Sequence, residues 1–238
     1  MFVLSASGRN LNFPPVEQAD ADGLLAVGGD LRPERLLEAY RHGIFPWYNE
    51  DQPILWWSPD PRAVLFPSKL HVPRSLERTM RRGLFTVTLD RCFREVMTRC
   101  AGPRPQYPNG GTWITPAMIE AYGTLHELGY AHSVETWVGT DLVGGLYGLA
   151  LGTAFFAESM FTQVDDASKT ALVALVRQLQ VWEFSIIDCQ QASPHVRRFG
   201  AEEIPRREFM ACLSEATGRS NRYGRWAFDT VPAIQSGI

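Results

Sequence analysis

The run from Ala131 to Gln190 constrains the fold more than any other part of this chain. Three strand-like stretches follow one another there, Ala131 to Val138, Leu142 to Leu151 and Ala154 to Phe161. Gly139-Thr140-Asp141 supplies a hairpin turn between the first two. A helical stretch from about Ser168 to Trp182 comes next, with Leu172, Leu175, Val176 and Leu179 at helical spacing, and then a short apolar run, Phe184 to Gln190. Consecutive hairpin strands followed by strand–helix–strand predict an α+β fold, a mixed sheet with helices packed on it.

The flanking residues fit the same plan. A helix over about 73–82 leads to a strand, Phe85 to Leu89; Asp90 then caps a helix to Cys100, and Thr115-Pro116 opens another that Gly129 closes. A short helix from Ser193 to Gly200 and a last one from Pro205 to about Thr217 follow; beyond Arg219 no usable motif appears. The first sixty residues differ in texture, being rich in Pro, Gly and Trp, with one helix opened by Asp30 and Pro33 and closed by Gly43. The prolines between Pro46 and Pro61 argue against a central strand there. We therefore expect a small loop-rich N-terminal domain over 1–61 and a larger mixed-sheet domain over 62–238.

Composition excludes several function classes. A net charge of −3 gives no global reason for nucleic-acid binding, so any basic surface is local. The four cysteines (92, 100, 189, 212) form no CxxC pair and the five histidines do not cluster, so no metal site is expected. The N-terminus lacks the pattern of a signal peptide, and Gly144 to Ala157 is too short to span a bilayer. A soluble cytoplasmic protein is expected. No phosphate-loop lysine motif, HExxH or GxSxG is present.

Four constellations carry possible chemistry. Asp188 and Gln190, two apart, share a strand face by alternation and lie at its C-terminal end, where α/β sheets bind ligands; capping of the next turn is the competing reading. Glu158 interrupts an apolar strand, which marks either a pocket carboxylate or an edge residue facing water. Trp47, Tyr48, Trp56, Trp57 and Trp113 fall in loop-like sequence, where aromatic rings stack bases or seal a domain interface. Between Lys69 and Arg104 nine Lys and Arg stand against three acids. Arg74, Arg78 and Arg81 or Arg82 align on one helix face, a stripe suited to phosphates or simply to solvent.

These residues belong to motifs that name a family. Gly23-Leu24-Leu25-Ala26-Val27-Gly28-Gly29-Asp30-Leu31, His42-Gly43-Ile44-Phe45-Pro46-Trp47, Trp56-Trp57-Ser58-Pro59-Asp60-Pro61-Arg62, Gly111-Thr112-Trp113-Ile114-Thr115, Gly144-Gly145-Leu146-Tyr147-Gly148, Glu158-Ser159-Met160-Phe161 and Ile187-Asp188-Cys189-Gln190 closely resemble the bacterial leucyl/phenylalanyl-tRNA–protein transferases. The match runs in order from about Phe13 to Arg207. The resemblance implies transfer of Leu or Phe, less readily Met, from aminoacyl-tRNA to the α-amine of proteins beginning with Arg or Lys, marking them for degradation. It implies an acetyltransferase-like (GNAT) domain, with Asp188 and Gln190 as the catalytic pair and Glu158 in the same pocket. Trp47 and Trp113 would meet the terminal adenosine, Leu146 and Phe156 would line the side-chain pocket, and Arg74, Arg78, Arg81 and Arg82 would hold tRNA phosphates.

Acetyltransferases of that fold carry a glycine-containing loop for the coenzyme A pyrophosphate. Thr162-Gln163-Val164-Asp165-Asp166-Ala167 stands in its place, so coenzyme A is not expected to bind, and no cofactor is implied. The donor is an ester and the acceptor an α-amine with an ordinary pKa of about 7.7–8.0, so only a mild base is required. Gln190 would orient the amine and Asp188 would serve as proton sink. A coenzyme A-dependent N-acetyltransferase and a non-catalytic tRNA-end module are the rival readings.

Overall fold

The structure is a computed structural model that describes residues 2–6, 10–102 and 113–229. Gly111 and Thr112 of the Gly-Thr-Trp motif, and Arg104 of the basic segment, lie outside the described residues. Within them are two mixed sheets and seven α-helices.

The N-terminal sheet has four strands, β1 (Phe2–Leu4), β2 (Leu24–Gly28), β3 (Phe45–Pro46) and β4 (Leu55–Trp57), in the order β1-β2-β4-β3. Helix α1 (Pro33–Arg41) joins β2 to β3, with Pro33 in its first turn and Gly43 beyond its end at φ 67°. The prolines do not exclude a central strand here. β4 is a central strand, because Pro53 and Pro59 lie outside it and Pro46 sits on the edge strand β3, where a missing N–H breaks no interior ladder. Trp56 is fully buried on β4, its indole N–H donating to the Gly28 carbonyl.

The larger sheet begins with β5 (Arg62–Leu65), a short strand that escaped the sequence reading because it directly follows the proline-rich run. Helix α2 (Arg74–Arg81), strand β6 (Thr86–Leu89), helix α3 (Phe93–Cys100) and helix α4 (Pro116–Glu127) lead into β7 (Ala131–Val138), β8 (Asp141–Leu151) and β9 (Ala154–Thr162). Helix α5 (Ala167–Val181), strand β10 (Ile186–Gln190), the single turn α6 (Pro194–Arg197), strand β11 (Glu202–Ile204) and helix α7 (Arg206–Thr217) complete the described elements. The order is β11-β5-β10-β9-β8-β7-β6, with β9 and β10 as the parallel pair. Thr115 caps α4 by accepting the Met118 N–H, as expected. Asp90 does not cap α3: its carboxylate is buried, accepting from the Ser133 and Trp226 backbone N–H groups and pairing with His132 Nδ1 at 2.8 Å.

Two apolar layers enclose this sheet. On one face Leu25, Tyr40 and Trp56 of the N-terminal part share a continuous core with Tyr122, Tyr147, Phe156 and Phe209. On the other, Leu146, Phe155, Ile187 and Trp226 pack with Leu172, Val176 and Leu179 of α5. The division between faces is set by two bulges. Opposite β8, Tyr147 pairs with Ser159 and Gly148 with Ala157, leaving Glu158 as the extra residue. Opposite β5, Asp188 pairs with Val64 and Gln190 with Ala63, leaving Cys189 extra. Gly148 is needed beside the first bulge, since a Cβ there would lie 2.1 Å from the Phe156 carbonyl oxygen. The β9–β10 pairing ends at Phe156 and Asp188, so both strands bulge just past the last point where they are joined.

Candidate active site

The gap between these two strands is where the polar side chains meet. Gln190 has φ 62°, a left-handed conformation that its own N–H stabilises by donating to Asp188 Oδ1 at 2.8 Å. Its side-chain Nε2 donates to Glu158 Oε1 at 2.9 Å. With Nε2 committed, Oε1 is the atom of this amide left to accept. The Tyr40 hydroxyl donates to the same Glu158 oxygen at 2.8 Å and stands 2.5 Å from the Tyr122 hydroxyl, which reaches Glu158 Oε2 at 3.5 Å. Residues from α1, α4, β9 and β10 thus converge on one carboxylate.

Alternation put Asp188 and Gln190 side by side on one face; the bulge at Cys189 separates them. Asp188 is buried and held bidentately by Arg62 of β5, Nε to Oδ1 at 2.8 Å and Nη2 to Oδ2 at 2.7 Å. The guanidinium lies between the Phe45 and Phe209 rings, with Nη1 buried and without a hydrogen-bond partner among the described residues. Asp188 therefore braces the backbone from which Gln190 projects.

The two carboxylates differ in what holds them. Burial is the largest influence on Glu158 and raises its carboxyl to about 8; the negative charge of Asp188 adds to this, while the Tyr40 hydrogen bond and the Arg62 charge oppose it. Cys189 is pushed up to about 12, by burial first and then by the Asp188 charge. It stays a thiol at neutral pH and is no nucleophile.

Two cavities open on this cluster. The smaller, about 150 Å³, lies among Phe45, Pro46, Trp47 and Trp113. The larger, about 880 Å³, has an apolar floor of Leu65, Leu146, Met160, Leu172 and Phe199 and extends to Lys169 and His195. Glu158, Cys189, Gln190 and Gln191 border both.

The sequence matches a known family over most of the chain. Residues 64–214 match the model described as leucyl/phenylalanyl-tRNA protein transferase, and residues 29–60 match that of its N-terminal domain. The chain is 58% identical over 221 residues to the leucyl/phenylalanyl-tRNA–protein transferase of Anaeromyxobacter sp. (strain Fw109-5), covering 93% of this chain and 94% of that relative. It is also 58% identical to that of Myxococcus xanthus (strain DK1622), covering 95% and 96% respectively. The chain belongs to the leucyl/phenylalanyl-tRNA–protein transferase family. It is an aminoacyltransferase. Among solved structures, L-PGS from Bacillus licheniformis aligns with a TM-score of 0.40 at 8% identity, over 71% of this chain and 53% of that one, too remote a likeness to define the fold.

In this transferase, Trp47, Trp113, Glu158 and Gln190 border the smaller cavity, and Leu146 lies in the floor of the larger. Phe156 lines neither: it is wholly buried in the opposite core layer, edge-on to Tyr40 with ring centroids 4.9 Å apart. The bulge at Glu158 gives the reason, since it turns Met160 to the cavity side while leaving Phe156 on the other. Arg74, Arg78 and Arg81 on α2, and Arg82 just past its end, are exposed, and among the described residues only Arg81 of these is drawn to a carboxylate, Glu77 at 3.5 Å. Sequence reasoning missed Tyr40, Tyr122, Arg62, Met160 and Leu172, which contact the polar cluster or line the cavity; Arg62 reads as the end of a proline-rich loop and the others as core or helix face. In the segment Thr162 to Ala167, Asp166 accepts from Lys169 at 2.6 Å and from Thr79 at 3.0 Å. Among the described residues no His, Cys, Asp and Glu group could hold a metal ion, and no helix is long and apolar enough to cross a membrane.

Proposed function

We propose that the two cavities receive one aminoacyl-adenosine end and that Glu158 and Gln190 receive the acceptor's α-amine. The observation that carries this is that these two residues, hydrogen-bonded to each other, border both cavities. A donor with its adenine between Trp47 and Trp113 and its Leu or Phe side chain on the Leu146–Met160–Leu172 floor then presents its ester at that border. An apolar pocket separates substrates by only about 1–3 kcal/mol per methylene, so Leu, Phe and less readily Met are all accepted. The acceptor is a protein beginning with Arg or Lys, whose cationic groups are drawn to Glu158, and the product is marked for degradation. The reaction runs in the cytoplasm.

Asp188 and Gln190 form the catalytic pair in this reading, Asp188 fixing the backbone and Gln190 Oε1 orienting the amine. The exposed arginines Arg74, Arg78, Arg81 and Arg82 hold acceptor-stem phosphates. The larger sheet, whose parallel strands part beside the site, is of the acetyltransferase-like (GNAT) kind. It forms a catalytic domain over 62–238 beside a smaller domain over 1–61. Coenzyme A is not a ligand, because Thr162 to Ala167 offers no glycine loop and presents two acids.

The test combines purified protein, labelled Leu-tRNA and a peptide beginning with Arg, then repeats the assay with Asp188→Ala. Label transfer by the intact chain, lowered at least tenfold in the variant, is expected. Absence of transfer by the intact chain overturns the activity; undiminished transfer by the variant overturns the site.

A further inference from the structure

Peptide-bond formation from an ester and an amine moves one proton, and the site contains two carboxylates to consider. Asp188 is spent: both oxygens are held by Arg62, one also accepts the Gln190 N–H, and the residue borders neither cavity. Glu158 borders both cavities and is 8% exposed. Its surroundings suit either protonation state. Ionised, it accepts from Tyr40 and Gln190; protonated, it is matched by hydroxyl rotors on Tyr40 and Tyr122 that reorient without moving heavy atoms.

We propose that Glu158, held by Tyr40 and Tyr122, takes the proton of the attacking amine and returns it to the departing ribose oxygen. The inference rests on the aminoacyl-tRNA reading above. The amine nitrogen forms a bond to the ester carbonyl carbon, and its proton passes to the Glu158 carboxylate. The tetrahedral adduct then breaks its C–O bond to the ribose. The leaving oxygen takes the proton from Glu158, which restores the carboxylate. No cofactor or redox partner is needed. Gln190 holds the amine within reach of Glu158, since its own Nε2 is tied there.

The chemistry is matched. An α-amine of ordinary pKa about 7.7–8.0 facing a carboxyl near 8 exchanges a proton at little cost, the condition under which a general base works best. The groups facing Glu158 are Tyr40 from α1, Tyr122 from α4, Gln190 and Asp188 from β10, and Arg62 from β5.

The experiment measures kcat and KM for an Arg-initiated peptide across pH 6 to 10, with Leu-tRNA as donor, in three proteins. In the unmodified chain kcat/KM is expected to rise through two ionisations, the amine's and that of Glu158. Glu158→Gln is expected to lower kcat roughly 100-fold, the usual scale for losing a general base, and to leave the amine's ionisation alone. Tyr40→Phe removes a donor that favours the carboxylate, so its Glu158 limb moves to higher pH, which a purely structural defect does not produce. Retention of kcat in Glu158→Gln within threefold, with only KM raised, overturns the proposal and leaves Glu158 as a cation-attracting group. An unmoved limb in Tyr40→Phe also counts against it. Absence of transfer by the unmodified chain overturns the underlying activity instead.

Discussion

Gln190 donates its side-chain amide to Glu158 across 2.9 Å, and this single bond joins the two strands beyond the point where their backbone pairing has ended. It fixes which end of the amide faces the cavities. Gln190→Glu replaces that donor with a second carboxyl beside Glu158. Two carboxylates so close hold a shared proton, so the variant's transfer activity should fall more than tenfold at pH 7.5. Single-turnover transfer of labelled Leu at saturating peptide measures this.

Glu158 also makes stability depend on pH. Its carboxyl stands at about 8 when folded against an ordinary 4.5, so the folded chain binds more protons between those values. Its contribution is therefore most favourable below pH 4.5 and declines as pH rises through 8, by up to about 1.4 kcal/mol per pH unit. Glu158→Gln removes this cost. Urea unfolding should find the variant close to the parent at pH 5 and more stable than it at pH 9.

The Arg62–Asp188 pair is buried, and breaking it strands a charge. Arg62→Met should cost about 3–5 kcal/mol of stability, because Asp188 loses both of its guanidinium bonds. Adding Asp188→Leu removes the stranded carboxylate and should recover most of that stability. Transfer activity should not return, since the Gln190 N–H has then lost its acceptor. Chemical denaturation and a transfer assay on the same preparations separate the two effects.

The proposed phosphate contacts of the α2 arginines lead to a separate prediction. Arg74→Ala and Arg78→Ala should raise KM for aminoacyl-tRNA while leaving kcat and the peptide KM unchanged. Removing one arginine–phosphate pair should flatten the slope of log affinity against log salt by roughly one. Filter binding of Leu-tRNA over a salt series checks this.

Periodicity alone carried the strand–helix alternation from Ala131 to Gln190, the Thr115 cap and the Pro33 start, because each is set by a few neighbouring residues. It marked Glu158, Asp188 and Gln190 because polar groups in apolar strands are costly wherever the strands end up. Tertiary structure decided what those groups face. One extra residue in β9 and one in β10 reverse the alternation, so Phe156 enters the core, Met160 enters the cavity, and Asp188 turns to Arg62, more than a hundred positions away. Bulges arise from pairing with β8 and β5, and pairing is invisible to a local pattern. Sequence thus determined which polar residues sit in apolar strands, and the packing of distant strands decided that Glu158 and Gln190, not Asp188, meet the open space.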